Sequence, residues 1–203
     1  MSSVRQTEAF VEKILQSTRG AFEVFSMYLG VRLGYYRSLS ERGPANSREL
    51  AERTGTYERY AREWLEQQAV CGILGVDDET IDAKSRRYAL PESYQEVLVD
   101  EESLNYLGAL PIILAGALRP LHAVVQAYRT GEGVAYGDYG VDLIEGQAGM
   151  NRAMFLKEMG SSWLPKIPDV HHRLLSDPPR VLPTWVQEPY GRASPSQEAI
   201  QKR

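Results

Sequence analysis

The sequence predicts a mainly α-helical fold built around one winged helix. Apolar residues recur at spacings of three and four over much of the chain, which is the period of helices with one buried face. Residues 46–71 read as a helix, a tight turn and a second helix, and residues 73–90 read as a β-hairpin. A helix-turn-helix followed by a hairpin is the winged-helix arrangement.

Composition narrows the class of protein. The chain has 203 residues, of which 43% are hydrophobic and 25% charged, and this is enough to bury a core. A net charge of -4 lacks the basic excess that attracts phosphate backbones, so nucleic acid is not an expected partner. Cys71 is the only cysteine, which rules out an intrachain disulfide and fits a cytoplasmic setting. The N-terminus does not resemble a signal peptide, and the longest apolar stretch, residues 104–118, is too short for a membrane span.

The first segment, residues 7–40, predicts two helices interrupted around Gly20 and Gly30. Apolar positions form one side of these helices, among them Phe10, Phe25 and Leu29. That side carries more apolar surface than the winged helix is expected to cover. We therefore expect a homodimer, or a mixed dimer with a full-length relative.

The helix-turn-helix has recognisable start and stop signals. Asn46 and Glu49 have the spacing of a capping box, and Gly55 supplies a left-handed stop. Thr56 is the expected cap of the second helix, which runs to about Cys71. The predicted inner face of that helix consists of Ala61, Trp64, Leu65, Gln68 and Ala69.

The rest of the chain predicts linker helices and a tail. A helix is expected from Glu101, kinked or divided at Pro111 and Pro120. A glycine-dense loop and two further helices follow, and we expect a disordered tail after them. The predicted ranges are 130–140 for the loop, 141–159 and 170–175 for the helices, and 183–203 for the tail. The domain boundaries that follow are 5–98 for the helical dimerisation segment and winged helix, 99–182 for the linker region, and 183–203 for the tail.

Several short segments, taken in order, resemble a bacterial family of class I S-adenosylmethionine-dependent methyltransferases. Residues 49–55, 62–65 and 87–91 resemble its N-terminal winged-helix and dimerisation domain. Later segments resemble the linker helices that precede its catalytic domain: 136–140, 145–148, 151–152 and 163–165. Each segment is weak alone, so the resemblance depends on their order and spacing over residues 5–182.

The resemblance implies a Rossmann-like cofactor domain whose first strand would be Arg180-Val181-Leu182. The acidic, glycine-rich turn that should follow is replaced by Pro183-Thr184-Trp185, and only Gly191 lies beyond it. We therefore expect a truncated homologue of a small-molecule methyltransferase that binds no cofactor itself, although its intact relatives bind S-adenosylmethionine. Two alternatives remain open: a winged-helix DNA-binding regulator with a ligand-sensing or dimerisation region, and a structural partner that forms mixed dimers.

The resemblance also implies substrate-side candidates, since residues 136–140 would border the acceptor cavity. These candidates are Tyr136, Asp138 and Tyr139 in the loop and Asn151 on the next helix. Packing of the linker on the preceding helix is the alternative for the tyrosines. No catalytic, cofactor-binding or metal-binding residue is assigned.

Other residues that could indicate a site have simpler interpretations. Gly131-Glu132-Gly133 follows a helix rather than a strand and is interpreted as a helix cap and loop. Adjacent His171 and His172 point apart on a helix, which favours a surface pair over a metal site. His122 is expected in a core or interface, and Cys71 is expected to be a small buried hydrophobe.

The second helix of the helix-turn-helix mixes charges of both signs. It carries Arg59 and Arg62 beside Glu58, Glu63 and Glu66. A helix that reads DNA normally presents a basic stripe, so this mixture favours contact with protein.

Overall fold

The computed structural model describes residues 3–176, and the chain divides into two compact units, Met1–Ala153 and Met154–Arg203. The predicted first strand, 180–182, and the predicted tail, 183–203, lie outside the described residues. In chain order the elements are α1 (Ser3–Arg32), α2 (Tyr35–Arg42), α3 (Ser47–Thr54), α4 (Glu58–Val70), β1 (Gly75–Val76), β2 (Tyr88–Ala89), α5 (Glu92–Leu98), α6 (Leu110–Leu118), α7 (Leu121–Thr130), a 3-10 turn (Tyr136–Tyr139), α8 (Gly140–Met154), a π-helical segment (Phe155–Trp163), a second 3-10 turn (Leu164–Lys166) and α9 (Pro168–Leu175).

Helix α1 is continuous through both glycines at which an interruption was expected. The chain breaks instead at Gly34, which has the left-handed backbone conformation that glycine adopts without strain (φ 69°). A glycine inside a helix costs only about 1 kcal/mol relative to alanine, which packing can offset. At Gly30 the packing is close, since an added Cβ would lie 2.5 Å from a ring carbon of Trp64.

The helix-turn-helix forms by the predicted local bonds. The Asn46 side chain accepts a bond from the Glu49 backbone N–H (2.9 Å), and the Glu49 carboxylate accepts one from the Asn46 N–H (3.2 Å). This confirms the capping box, and Gly55 ends α3 in the left-handed conformation as expected. The expected cap at Thr56 is wrong. Tyr57 occupies the cap position of α4, while the Thr56 hydroxyl accepts a bond from Tyr35 (2.9 Å).

The wing and the core complete the winged helix. Strands β1 and β2 pair antiparallel, and Ala45 forms an isolated bridge to Tyr88. The Trp64 ring packs against two tyrosines of α2, with ring centroids 4.7 Å from Tyr35 and 5.1 Å from Tyr36. The Tyr36 hydroxyl donates to the buried Gln68 side chain. The predicted inner face of α4 is confirmed, with only Ala69 partly exposed.

The region after the wing differs from its prediction. Helix α5 was not predicted, and residues 99–109 form turns where a helix from Glu101 was expected. Side chains explain the turns, because Asp100 accepts the Glu102 N–H and Ser103 accepts the Asn105 N–H, each at 3.0 Å. Such short side-chain bonds compete with helix formation.

The two prolines of the linker act differently. Pro111 lies in the first turn of α6, where its missing N–H costs nothing, and Pro120 separates α6 from α7. No single helix within residues 3–176 is long and apolar enough to span a membrane. Helices α6 and α7 pass that test only together, and they are bent by 57° at their break.

Helices α6 and α8 cross at two glycines. A Cβ on Gly116 would lie 2.3 Å from the Leu143 backbone nitrogen, and one on Gly146 would lie 2.7 Å from that of Ile113. These two glycines therefore allow the two helix backbones to approach closely. In the second unit the π-helical segment follows α8 directly, and the rings of Phe155 and Trp163 pack edge to face at 5.7 Å.

Candidate functional site

The four predicted substrate-side residues lie on the turn before α8 and on α8 itself. The Tyr136 hydroxyl donates to the Gln147 side chain of α8 (2.8 Å). Asn151 follows Gln147 by four residues, so the two share one face of the helix. Tyr136, Asp138 and Asn151 are exposed, and Tyr139 is half-buried. The structure thus brings Tyr136 to the face of α8 that carries Asn151, while contact with a substrate stays a prediction.

An ionic cluster joins α8 to α1 beside this turn. The Arg32 guanidinium contacts Asp142 and lies 2.7 Å from a Glu145 oxygen, and the Tyr28 hydroxyl donates to Asp142 (3.0 Å). Partial burial opposes the charge on Arg32, but the bonds to Glu145 and Asp142 outweigh it and raise its pKa. The sequence did not predict this cluster, because its members are more than 100 positions apart and local patterns do not show which distant residues come together.

An apolar groove lies between α1, the turn at Gly55 and α4. Its volume is about 650 Å³, and its lining includes Leu29, Leu33, Tyr57 and Tyr60. Tyr57 is 81% exposed and Tyr60 is 70% exposed, which is unusual for large aromatic side chains. The signal available in the sequence was the spacing of three between Tyr57, which caps α4, and Tyr60 in its first turn.

The exposed face of α4 carries side chains of both charges. Arg62 lies 3.7 Å from Glu58 one turn earlier, and Glu63 is exposed beside Arg59. The two arginines therefore share the surface with carboxylates, and α4 presents no stripe of positive charge. A phosphate backbone would meet repulsion as well as attraction on this face.

The first half of α1 is exposed to solvent along its length. Residues 4–19 are all exposed, including Phe10 at 63%. Further along the helix Phe22 is 66% exposed, and only Gly30 is fully buried. This face of α1 is a row of large apolar side chains open to solvent.

Comparison with known families agrees with this architecture. Residues 22–99 match the family described as the Rv2258c-like winged HTH domain. The match agrees with the winged helix-turn-helix that the structure shows over these residues. The match begins within α1 and ends just after α5, so it includes the whole wing.

Solved structures extend the likeness beyond the winged helix. The mitomycin 7-O-methyltransferase MmcR is 22% identical and matches 78% of this chain and 48% of its own, with a TM-score of 0.57. PigF, solved with SAH, is 15% identical and matches 76% of this chain and 47% of its own, with a TM-score of 0.50. The chain thus spans about half the length of each. At these identities the likeness shows the fold alone, and it confirms the resemblance at that level. A comparison with curated protein sequences finds no significant match.

Proposed function

We propose that this chain forms the dimerisation and substrate-side part of an S-adenosylmethionine-dependent methyltransferase that acts on a small molecule. The observation that carries the proposal is the fold shared with MmcR, a mitomycin 7-O-methyltransferase, over 78% of this chain. The mixed charges on α4 support the same choice, because a DNA-binding regulator would need a basic surface there.

The substrate-side role belongs to the face of α8 that carries Asn151 and to the turn before it. Tyr136 is held against that face by Gln147, and Tyr139 stands in the same turn. These side chains offer hydroxyl and amide groups to orient an acceptor. Positioning supplies much of the rate gain in methyl transfer, so the proposed role is orientation without proton transfer.

We further propose that S-adenosylmethionine is not held by this chain alone. A Rossmann-like site places the cofactor on a glycine-rich turn between a parallel strand and a helix. Within residues 3–176 the strands are the antiparallel pair β1 and β2, and neither leads through a glycine-rich turn into a helix. One wall of a cavity buries too little of a ligand of this size to bind it tightly.

Titration calorimetry tests the cofactor proposal directly. We expect no saturable heat when the chain is titrated with S-adenosylmethionine or with its demethylated product, and no methyl transfer by the chain alone. A saturable signal with micromolar affinity would show that the helical region contains a cofactor site. Fluorescence anisotropy with a random DNA duplex at low salt tests the regulator alternative, and we expect no binding. Salt-dependent binding there would favour the regulator, for which the helix-turn-helix itself is the supporting observation.

The dimer is the second part of the proposed function. A helix of 30 residues is about 45 Å long, and residues 4–19 of it are all exposed. Isolated helices are marginally stable in water, so an exposed apolar row of this length is best explained by a second copy that covers it. A twofold dimer would use the same face of α1 on both copies.

Sedimentation at micromolar concentration tests the dimer. We expect a dimer for the native chain and a shift toward monomer for Phe22→Gln, because that change places a polar group on the apolar row. Leu175→Gln is the matched control, since Leu175 is 70% exposed but lies on α9. A monomer whose amides near Phe25 and Leu29 are already protected from hydrogen exchange would contradict the proposal.

A further inference from the structure

The apolar row of α1 centres on one narrow stripe. At about 100° per residue, the members of the stripe fall within roughly 80° of the helix circumference, and all of them are exposed. They are Val4, Thr7, Val11, Leu15, Thr18, Phe22, Phe25, Leu29 and Leu33. The Thr18 hydroxyl donates to the Ile14 carbonyl (2.9 Å), so its polar group is satisfied within the helix. The stripe therefore runs the length of α1 without a charged residue.

At its C-terminal end the stripe becomes part of the apolar groove beside α4. Leu29 and Leu33 belong to both, and the Leu33 N–H still donates to the Leu29 carbonyl (2.9 Å), so the helical spacing holds to that point. The lining also includes the exposed rings of Tyr57 and Tyr60, and among the residues that line the groove only Glu63 is charged. A continuous apolar surface thus leads from the first turn of α1 into the groove.

The extent of this surface favours a partner that covers both parts. A helix face about 45 Å long and roughly 10 Å wide presents on the order of 450 Å², whereas a standard protein interface buries about 800 Å² on each partner. Pairing of two stripes alone falls short of that area. An interface that also includes the groove, whose volume is about 650 Å³, comes closer to it.

A second copy of the chain offers an occupant of matching shape and chemistry. Each copy carries an exposed apolar half-helix at one end of α1 and the groove at the other end, so an antiparallel twofold pair fills both grooves at once. In such a pair the numbers of opposing residues have a constant sum, and one register opposes stripe members throughout. Its pairs are Leu33 with Thr7, Leu29 with Val11, Phe25 with Leu15, and Phe22 with Thr18. A register with Leu29 opposite Val4 would instead set Phe25 against the charged Glu8, which is unfavourable.

We propose that the groove of each copy is filled by the first half of α1 from a second copy, in an antiparallel twofold dimer. Val11 of one copy would lie on Leu29 and the rings of Tyr57 and Tyr60 of the other. The tyrosine hydroxyls would stay at the rim of the interface, where water can bond them. This inference rests on the proposed dimer and adds to it the direction of the two helices and the occupant of the groove.

Thiol cross-linking tests the direction of the two helices. In a Cys71→Ser background, one preparation carries Val11→Cys and another carries Leu29→Cys, and a short bis-maleimide is added to their mixture. We expect the main product to link position 11 of one copy to position 29 of the other. Links between two copies of the same variant should be at least about tenfold rarer, because like positions would lie about 27 Å apart along the antiparallel helices. Links of 11 to 11 and of 29 to 29 would show parallel helices and overturn the proposal.

A groove variant tests the occupant. Tyr60→Gln removes an aromatic ring from the groove and should raise the dissociation constant of the dimer by about tenfold or more, measured by sedimentation, because buried aromatic rings contribute strongly to interfaces. The ring is 70% exposed in the single chain, so the fold itself should be unaffected, which circular dichroism checks. Tyr128→Gln is the matched control, since Tyr128 is 91% exposed but lies on α7, and it should leave the dissociation constant unchanged.

The outcomes separate this inference from the proposed dimer on which it rests. A native chain that sediments as a monomer would contradict both. A dimer that gives no link between positions 11 and 29, or whose dissociation constant is the same in Tyr60→Gln, would keep the proposed dimer and overturn the filled groove. The groove would then be open to another ligand. The mixed link together with weaker association of Tyr60→Gln alone would support the exchange of half-helices.

Discussion

The winged helix and the first half of α1 are both rich in large apolar residues, yet they place them differently. The winged helix buries Tyr35, Tyr36, Trp64 and Leu65 within one chain. Along α1, residues 4–19 are all exposed. One region completes its core from its own sequence, whereas the apolar side chains of the other are exposed, and the proposed dimer would cover them. An apolar pattern therefore predicts burial without saying which molecule supplies the partner.

The boundary between the two regions lies within α1, where the helix reaches the winged helix. The Trp64 indole N–H donates to the Ser26 carbonyl (2.8 Å), and the Ser26 hydroxyl donates to the Gln67 side chain (2.6 Å). Gly30 lies against the Trp64 ring. The last two turns of α1, from Ser26, thus contribute to the winged-helix core, whereas residues 4–19 and Phe22 are exposed.

The largest loss of unfolding free energy is expected from Trp64→Ala, which removes a ring from the core of the winged helix. The ring is 4% exposed and touches both core tyrosines of α2, so truncation should cost about 3–5 kcal/mol. Thermal melts of the variant measure this cost. Arg62→Ala is the control and should cost no more than about 0.5 kcal/mol, because among the described residues the ion pair of Arg62 is the 3.7 Å contact with Glu58. An unchanged melt for Trp64→Ala would contradict the packed core.

Alanine substitutions at Gly30 and Gly20 compare the packed and the exposed parts of α1. Gly30→Ala should cost about 1–3 kcal/mol, because the new methyl group would meet the rings of Trp64 and Tyr36 at 2.5 Å. At Gly20 no atom lies within 4 Å of an added Cβ. Gly20→Ala should therefore be neutral or stabilise the helix by up to about 1 kcal/mol. Denaturant unfolding of both variants tests the contrast. A comparable loss at Gly20 would show that the first half of α1 is tightly covered after all.

Local signals account for what could be predicted from the sequence. The capping box at Asn46, the stop at Gly55 and the inner face around Trp64 all depend on residues a few positions apart, and all three are confirmed. The ionic cluster of Arg32 depends on contacts between distant segments, which no local pattern predicts. The helix expected from Glu101 was wrong for a local reason, because the side chains of Asp100 and Ser103 bond the backbone two residues on and compete with the helix.

A smaller loss of unfolding free energy is expected on replacing Arg32, whose ion pairs connect the C-terminal end of α1 to α8. Arg32→Met removes the bonds to Asp142 and Glu145 but keeps much of the side-chain bulk. The group is partly exposed, so we expect a loss of about 1 kcal/mol that shrinks as salt concentration rises. Urea unfolding at low and high salt provides the measurement. Arg19→Met is the control on the uncovered half, where the pair with Glu12 is largely exposed and should contribute almost nothing. Equal losses for the two arginines would remove the distinction between the two halves of α1.

The smallest change in unfolding free energy is expected on removing the charge of Glu49, in the winged helix. The Arg87 guanidinium bonds Glu49, and this outweighs partial burial and holds the pKa of Glu49 below its usual range, with a further contribution from the Asn46 N–H. A carboxyl whose pKa is lowered by folding stabilises the folded state above its unfolded pKa of about 4.3, and that stability is lost as pH falls through the lower folded value. Glu49→Gln keeps the capping geometry and removes the charge. Its cost should stay below about 1 kcal/mol, because the side chain is 36% exposed and solvent screens the pair.

Unfolding of native and Glu49→Gln protein at several pH values isolates this contribution. The difference in unfolding free energy should be constant from about pH 6 to pH 8 and should shrink below about pH 4.3 as the native carboxylate takes up its proton. Glu52→Gln is the matched control, since Glu52 is exposed on the same helix and forms no ion pair within the described residues. A Glu49 difference that grows on acidification would have the wrong sign for a lowered pKa. It would mean that the charge of Glu49 opposes folding, so that the winged helix would depend on its apolar core and the neutral bonds of the capping box alone.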